Sequence, residues 1–221
     1  ITKGGYAPNV IPDEAEVYYY VRHPKIKMVE SLFERVVLAA EGAAMGTETR
    51  VSYEVMHGNY PLMPNSTLQR IMHEKLSNRG GITYTTEENR YAKEIYKTFL
   101  NPSNKIGDQE NILPFEPTHG YGSTDVGDIS WLVPTGGLRI ATWVSGTPAH
   151  SWQAVASGGT TIGLKGTKLA VQVLSETARE IYLKPAIATR AKEELLLNVG
   201  EDFEYFPLLG DRNPPLDYRK N

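Results

Sequence analysis

Residues 16–57 read EVYYYVRHPKIKMVESLFERVVLAAEGAAMGTETRVSYEVMH, and this stretch decides the predicted fold. Its first seven residues, EVYYYVR, are rich in β-forming side chains and predict a strand. Residues 25–45 repeat apolar side chains three and four positions apart, which predicts an amphipathic helix. Residues 49–57 alternate in a period of two and predict another strand. With a strand end before residue 16, this order matches most of a split βαβ sheet that lacks its first strand and helix.

The second half of the chain follows a boundary at residues 58–64, which contain a glycine and two prolines. Asn65 or Ser66 is predicted to cap a helix that ends at about residue 77, and Thr85 or Thr86 to cap another at 87–100. Further helices are predicted at 158–183 and 185–199, and strands at about 128–133 and 138–145. The whole pattern predicts an α/β protein. An incomplete ferredoxin-like (split βαβ) domain occupies residues 1–60, and part of a mixed α/β domain occupies residues 61–221.

Composition excludes several classes of function. The formal net charge is −3, which does not indicate binding to nucleic acid or to an anionic membrane. The sequence contains no cysteine, which excludes disulfides, thiolate metal ligands and a cysteine nucleophile. No apolar run approaches the ~20 residues of a membrane-spanning helix, and the first residues lack the pattern of a signal peptide. We therefore expect a cytoplasmic protein with no nucleic-acid or membrane partner.

Two motifs have a structural interpretation that outweighs the functional one. The segment GGTTIGLKGT, residues 158–167, resembles a phosphate-binding loop but lacks the required Gly-Lys-Ser/Thr ending. It instead predicts a helix start packed closely against a neighbouring segment. The acidic pairs Glu87-Glu88 and Glu193-Glu194 could be catalytic carboxylates, but both lie on helical stretches that we interpret as exposed and solvated.

The segment HGYGSTDVGDIS, residues 119–130, is a candidate functional loop. Its glycines allow the backbone to approach a ligand closely, and loops at strand ends often carry functional residues. Ser123, Thr124 and Asp125 are the polar candidates within it. The alternative is that Asp125 only caps a turn.

A second candidate is His150, in the loop GTPAHSWQ, residues 146–153. A histidine on such a loop is either a surface residue or a metal ligand. A histidine metal site needs three or four ligands, and the sequence contains no HxH or HxxxH spacing that would supply a second histidine. His23, His57 and His73 are interpreted as structural or solvated, so local patterns alone do not assemble a complete metal site.

Three segments together resemble a known family. GGYAPNVIPDEAEVYYYVR, residues 4–22, resembles the lid domain of the dinuclear zinc carboxypeptidase and aminoacylase family, in which an NVIP-type loop precedes a strand that ends in arginine. GSTDVGDISWLVPT (122–135) and GTPAHSWQAVASGGTTIGLKGTKLA (146–170) resemble one branch of it, the aminobenzoyl-glutamate utilisation protein B group. The resemblance covers nearly the whole chain.

The resemblance implies specific roles for residues of this chain. His150 would be a metal ligand, and Asn9 and Arg22 would hold the carboxylate of the substrate. Ser123, Thr124 and Asp125 would lie near the site. The cofactor would be a divalent metal, zinc with manganese or cobalt as alternatives. The reaction would be hydrolysis of the amide bond of p-aminobenzoyl-glutamate or of a related N-acyl amino acid.

The resemblance also implies what this chain lacks. In the family, the other metal ligands and the glutamate general base belong to an N-terminal half that nothing here matches, so we expect no catalytic residue in this chain. It would then be the C-terminal part of the enzyme: a partial lid and dimerisation domain (1–60), followed by part of the zinc-peptidase catalytic domain (61–221). Alone it would be inactive. Its partners would be a small N-acyl amino acid substrate and a second copy bound through the lid, or a different partner subunit. The alternative is a non-catalytic truncated module for dimerisation or carboxylate binding.

Overall fold

The computed structural model describes residues 1–120, 122–211 and 213, and within them the chain is helical. One short 3-10 helix, Asp108–Glu110, accompanies seven α-helices in the described residues. The α-helices are α1 (Ile26–Thr47), α2 (Ser66–Arg79), α3 (Thr86–Tyr96), α4 (Val126–Ser130), α5 (Trp152–Gly158), α6 (Thr161–Leu183) and α7 (Ala186–Val199). None of the helices in this described part is both long enough and apolar enough to cross a membrane.

The predicted α/β fold class is wrong, because no β-sheet forms among the described residues. The β-pairing found there is one isolated antiparallel bridge between Lys3 and Glu16, in which the Glu16 N–H donates to the Lys3 carbonyl at 2.8 Å. The incomplete ferredoxin-like lid and the mixed α/β catalytic domain expected from the sequence are therefore not observed.

Two segments rich in β-forming residues form no sheet because no neighbouring strand pairs with them in the described part of the chain. Residues 17–22 and 49–57 contain no regular structure, and side chains such as Tyr19 and Tyr53 are 68% and 64% exposed. A residue favours a strand mainly because its side chain packs against cross-strand neighbours on a half-buried surface. These segments form no ladder in the described residues, so their composition is not sufficient to make strands. The predicted strand at 138–145 is absent in the same way.

The predicted strand at 128–133 is wrong for a different reason, since its first residues belong to α4. The Thr124 hydroxyl accepts a hydrogen bond from the Val126 N–H at 3.3 Å, just before the helix. Asp128 lies in the first turn, where the helix dipole stabilises negative charge. Local side-chain bonds of this kind compete with strand formation.

The helices predicted from the sequence are confirmed, apart from shifts at their ends. The predictions 25–45, 65–77, 87–100 and 185–199 correspond to α1, α2, α3 and α7, and 158–183 corresponds to α6 from Thr161 on. Side-chain caps set two of the starts. Asn65 accepts from the Leu68 N–H at 3.1 Å, and Thr85 forms a reciprocal capping box with Glu88.

The chain divides into two compact units. Unit 1 comprises Ile1–Pro61 together with the described residues from Phe206 onward, and unit 2 comprises Leu62–Tyr205. Within unit 1, the Tyr60 hydroxyl donates to the Phe206 carbonyl at 3.1 Å, and α1 has no fully buried residue. The identities of residues 1–60 as a lid and of 61–221 as part of a catalytic domain stay predictions.

Unit 2 contains two buried apolar clusters. The larger cluster consists of Ile82, Tyr84, Ala92, Ile95, Val144 and Ile162. It joins α3 and the start of α6 to the extended segment before residue 146. The smaller cluster joins α2 to α7 through Leu68, Ile187 and Ala191. Full burial of the larger side chains, such as Ile95 and Val144, contributes roughly 1.5–3 kcal/mol each, so these clusters stabilise the unit that carries His150.

Candidate functional site

His150 lies on an exposed loop at the start of α5. Its φ of 58° places it in the left-handed region, where histidine is more common than most other non-glycine residues. That conformation costs on the order of 1 kcal/mol and persists only where the surroundings hold it. The next residue, Ser151, caps α5 by accepting a hydrogen bond from the Ala154 N–H at 3.2 Å. The imidazole is thus carried on an ordered turn at a helix start.

The loop from Val144 to Ser151, here called the His150 loop, is held at both ends. Val144 is buried, and its carbonyl accepts hydrogen bonds from the Thr147 N–H at 3.0 Å and the Thr147 hydroxyl at 2.6 Å. The Ser151 hydroxyl donates to the Pro148 carbonyl at 2.7 Å. Gly146 has a φ of 90°, and a Cβ there would lie 3.1 Å from the Asn104 carbonyl oxygen. The backbone around His150 is therefore fixed rather than loosely attached.

The glycines of GGTTIGLKGT pack closely against the segments on either side of this loop, as the sequence predicted. A Cβ on Gly166 would lie 2.3 Å from the carbonyl oxygen of Ala141, which precedes the loop. A Cβ on Gly163 would lie 2.2 Å from the carbonyl oxygen of Gly158, which ends α5. Only glycine permits such an approach between helix and backbone. The prediction of a closely packed helix start is confirmed.

Glu88 is not the solvated acid that the sequence suggested, since only 6% of it is exposed. Its carboxylate accepts hydrogen bonds from the Lys165 ammonium and from the Thr85 N–H at 2.7 Å. Burial raises the pKa of Glu88. Hydrogen bonds from Lys165, Thr161 and the Thr85 backbone outweigh burial and lower the pKa of this carboxyl to about 2. Lys165 also donates to the Thr83 carbonyl at 2.9 Å, so it joins α6 to the start of α3.

Glu194 likewise has a structural role instead of the solvated one expected. Its two carboxylate oxygens accept hydrogen bonds from the Ser66 N–H at 2.6 Å and the Thr67 N–H at 2.9 Å, in the first turn of α2. Burial raises the pKa of Glu194, but the hydrogen bonds from Thr67 and Ser66 lower it further than burial raises it. Both carboxylates stabilise helix starts, which accounts for the buried Glu88 and the half-buried Glu194 without a catalytic role.

Ser123, Thr124 and Asp125 are exposed at the start of α4 in unit 2. Asp125 occupies the cap position of α4, yet its carboxylate forms no cap hydrogen bond; the nearby Thr124 hydroxyl accepts from Val126 instead. Asp125 thus lies at a helix start without a side-chain cap bond, and both interpretations of this residue stay predictions. Asp128 of the same helix accepts a hydrogen bond from the Tyr205 hydroxyl at 2.8 Å, which anchors α4.

Asn9 and Arg22 lie in unit 1, and both residues are exposed. Asn9 is part of a turn closed by a 3.3 Å hydrogen bond from the Val10 N–H to the Ala7 carbonyl. The Arg22 guanidinium lies 5.0 Å from the centroid of the Tyr20 ring, which is within cation–π distance. The strand that was predicted to end at Arg22 does not form, so Arg22 reaches solvent from an extended segment.

Comparison with known proteins identifies the family. The chain is 32% identical over 216 residues to the B subunit of p-aminobenzoyl-glutamate hydrolase from Escherichia coli (strain K12), and the match covers 86% of this chain and 45% of that protein. It is 28% identical over 205 residues to the Xaa-Arg dipeptidase of Mus musculus, covering 91% of this chain and 41% of that protein. The chain belongs to this amidohydrolase and peptidase family. The resemblance expected from the sequence is confirmed.

A third relative shows the same extent of similarity. The Xaa-Arg dipeptidase of Homo sapiens is 26% identical over 205 residues, covering 91% of this chain and 40% of that protein. The chain thus spans less than half the length of the curated relatives it matches. No family model and no solved structure matches it.

The family resemblance implies that His150 is one ligand of a metal site, and this role stays a prediction. An imidazole nitrogen is a common zinc ligand, and the exposed position of His150 leaves its side chain accessible. Within residues 1–120, 122–211 and 213, no group of three His, Cys, Asp or Glu side chains is placed to hold a metal ion. A zinc site takes three or four ligands, so the described residues do not make a complete one.

Two features of unit 2 escaped prediction from the sequence. Lys165 was part of a rejected phosphate-loop motif, and nothing in its spacing indicated a partner 77 positions away. An open groove of about 420 Å³ also lies beside Lys165, Lys168 and Arg79. None of the predicted site residues lines this groove. The Thr85-x-x-Glu88 capping pattern was the one local signal that Glu88 was engaged.

Proposed function

We propose that this chain works in an amidohydrolase that cleaves the amide bond of p-aminobenzoyl-glutamate or of a related N-acyl amino acid. The observation that carries this proposal is the 32% identity, over 86% of the chain, to one subunit of a p-aminobenzoyl-glutamate hydrolase. The ordered loop that carries His150, which the family resemblance assigns to metal binding, is compatible with this proposal.

His150 would contribute one ligand to a divalent metal. Zinc is the metal that we propose, with manganese or cobalt as alternatives. When bound, such a metal polarises the scissile carbonyl. The role of this chain is to hold the imidazole in place. The Ser151 cap, the Thr147 bonds to Val144 and the left-handed turn at His150 hold the backbone that carries the ring before any ligand arrives. This removes the entropy cost of ordering the loop during binding.

Asn9 and Arg22 would bind the carboxylate of the substrate. The guanidinium of Arg22 is planar and can meet a carboxylate with two parallel N–H donors, and the Asn9 amide adds a neutral donor. The Tyr20 ring supports a role of Arg22 in carboxylate binding, because a cation–π contact would restrain the guanidinium. We place Ser123, Thr124 and Asp125 near the reacting amide, where the exposed Asp125 carboxylate is available to a ligand.

The proposed assembly includes a second polypeptide. The Escherichia coli relative is named as one subunit of its hydrolase, which supports a partner subunit for this chain as well. Unit 1 also exposes apolar side chains along α1, among them Leu38 and Met45. Exposed apolar surface of this kind marks protein contacts, and a second copy bound through unit 1 is the proposed homo-oligomeric alternative.

A second substrate class has its own observation. The chain is 28% identical to an Xaa-Arg dipeptidase over 91% of its length, which favours dipeptides that end in arginine. Both substrate classes carry a carboxylate next to the scissile amide, so Arg22 would serve either one. They differ in the charge of the terminal side chain.

The test compares these substrates with the complete gene product and any subunit that co-purifies with it. Hydrolysis of p-aminobenzoyl-glutamate, measured by release of p-aminobenzoate, supports the first class. Hydrolysis of an Xaa-Arg dipeptide alone would show that the second substrate class is the correct one. Hydrolysis of neither, with tight carboxylate binding or stable association intact, would support the non-catalytic alternative and overturn the proposed enzyme.

A further inference from the structure

The two chain segments that flank the His150 loop both pack on the first turns of α6. Ala141 lies before the loop and contacts α6 at Gly166, while Gly158 lies after the loop and contacts α6 at Gly163. Because both contacts are with backbone atoms, a shift of α6 would have to displace the chain on each side of His150. The position of the loop therefore depends on the position of this helix.

Lys165 lies between those two glycines and fixes α6 to another part of unit 2. Its ammonium donates to the Thr83 carbonyl at 2.9 Å and to the buried carboxylate of Glu88. Glu88 in turn accepts from the Thr85 N–H, which completes the cap of α3. One side chain thus joins α6 to both the segment before α3 and the first turn of α3.

Tyr84 extends this connection to the loop itself. It lies between Thr83 and Thr85, is 6% exposed, and donates from its hydroxyl to the Trp143 carbonyl at 3.4 Å. Its ring belongs to the same buried cluster as Val144. The Val144 carbonyl holds the two Thr147 bonds that close the His150 loop. A continuous set of contacts thus runs from Lys165 to the residue that begins the loop.

We propose that Lys165 is a positioning residue for His150: it holds α6 against the segment 83–85, and thereby fixes the loop that presents the imidazole. This inference rests on the proposed function for its catalytic meaning. Nothing in it requires Lys165 to touch a substrate. Its role is to keep the left-handed turn at His150 and the positive-φ Gly146 in place, since such conformations relax when their surroundings loosen.

Replacing the Lys165 ammonium by a neutral group should destabilise this part of unit 2. Glu88 would remain buried with its charge but without its cation, and an uncompensated buried charge is costly. The segment 83–85 would also lose the bond at the Thr83 carbonyl. Lys165→Arg retains a cation with several donors. Lys168→Met is the matched control, because Lys168 lies one turn further along α6 and takes part in none of the ion pairs of the described residues.

The test is site-resolved amide hydrogen exchange on the purified protein, read at Thr147 and Ala154, whose N–H groups are bonded within and just after the loop. Lys165→Met should raise their exchange rates about tenfold or more, given the strength of a charge-assisted hydrogen bond. Amides in the middle of α7 should be unchanged. Lys165→Arg and Lys168→Met should resemble the wild type. Unchanged loop exchange, or equal acceleration in α7, would overturn the inference.

If Lys165→Met does not fold, Lys165→Gln repeats the test with a neutral polar side chain. Tyr84→Phe separately tests the last contact of the set, because it removes one hydroxyl and keeps the buried ring. It should raise exchange at Thr147 by about threefold, as expected for the loss of one neutral hydrogen bond, and leave α7 unchanged. In the active enzyme, Lys165→Met should lower kcat, and Lys165→Arg should restore it. A looser loop with wild-type kcat would contradict the inference. His150→Ala with wild-type kcat would contradict the proposed function alone.

Discussion

The Tyr205 hydroxyl donates a 2.8 Å hydrogen bond to Asp128, and so ties the chain beyond α7 to the short helix α4. The Trp131 and Phe203 rings, with centroids 5.0 Å apart, reinforce the same contact. Five residues are too few to be stable as an isolated helix, so α4 depends on such tertiary contacts. The position of the neighbouring Ser123–Asp125 segment depends on them as well.

Tyr205→Phe should therefore destabilise unit 2. The variant removes a hydroxyl donor from a carboxylate acceptor, and such bonds contribute roughly 1.5–3 kcal/mol to the free energy of unfolding. Urea denaturation measures the change. Tyr182→Phe is the control, because Tyr182 is largely exposed on α6. Equal stability of the two variants would show that the Tyr205 bond contributes nothing.

The Glu88 carboxyl predicts a specific acid sensitivity. Its pKa is lowered from 4.5 to about 2 in the folded protein, so the unfolded chain takes up the proton at higher pH than the folded chain does. Its stabilising contribution is present in full above pH 4.5 and is lost as the pH falls from 4.5 towards 2. Unfolding free energies measured across that window should fall more steeply for the wild type than for Glu88→Gln. Parallel curves would contradict this assignment.

Gly166→Ala should be destabilising, although alanine normally favours a helix. The added Cβ would lie 2.3 Å from the Ala141 carbonyl oxygen, and backbone must move to accommodate it. Overpacking of this kind costs roughly 1–3 kcal/mol. Gly158→Ala is the control within the same unit, since its Cβ would meet nothing closer than 3.7 Å. A thermal midpoint as high for Gly166→Ala as for Gly158→Ala would show that the close approach is not required.

Helices could be predicted from the sequence because their signals are local. Apolar spacing located α1 and α6, and Asn65 and Thr85 marked two helix starts within a residue. Strands could not be predicted in this way. The tyrosines of EVYYYVR favour β-structure only where a paired strand gives them a surface, and the described residues provide none.

The candidate site was predictable only in part for a similar reason. The family resemblance selected His150, and its position on a loop followed from Gly146 and Pro148. The left-handed conformation of His150 and the bond between Glu88 and Lys165 depend on contacts distant in sequence. No local periodicity encodes these contacts. The close packing of the helix start could be inferred because glycine destabilises a helix relative to alanine, so glycines there indicate a neighbouring backbone that leaves no room for a Cβ.

Arg22→Lys should weaken binding of the substrate carboxylate in the active enzyme. Lysine keeps the charge but loses the planar fork, and with it one of two charge-assisted hydrogen bonds. The loss of roughly 1.5–3 kcal/mol corresponds to a rise in KM of about ten- to a hundredfold. Metal content should not change. Steady-state kinetics with p-aminobenzoyl-glutamate measure the effect, and an unaltered KM would show that the carboxylate is held elsewhere.

The central claim is that His150 serves the amide hydrolysis, and its most direct test is kcat for p-aminobenzoyl-glutamate in the wild type and in His150→Gly. Glycine accepts the φ of 58° without strain, so the variant should be at least as stable as the wild type in thermal denaturation. Loss of an outer partner of a metal ligand already costs about 10–100-fold, so loss of the ligand should lower kcat roughly a hundredfold or more. A stable His150→Gly variant with wild-type kcat would contradict the account.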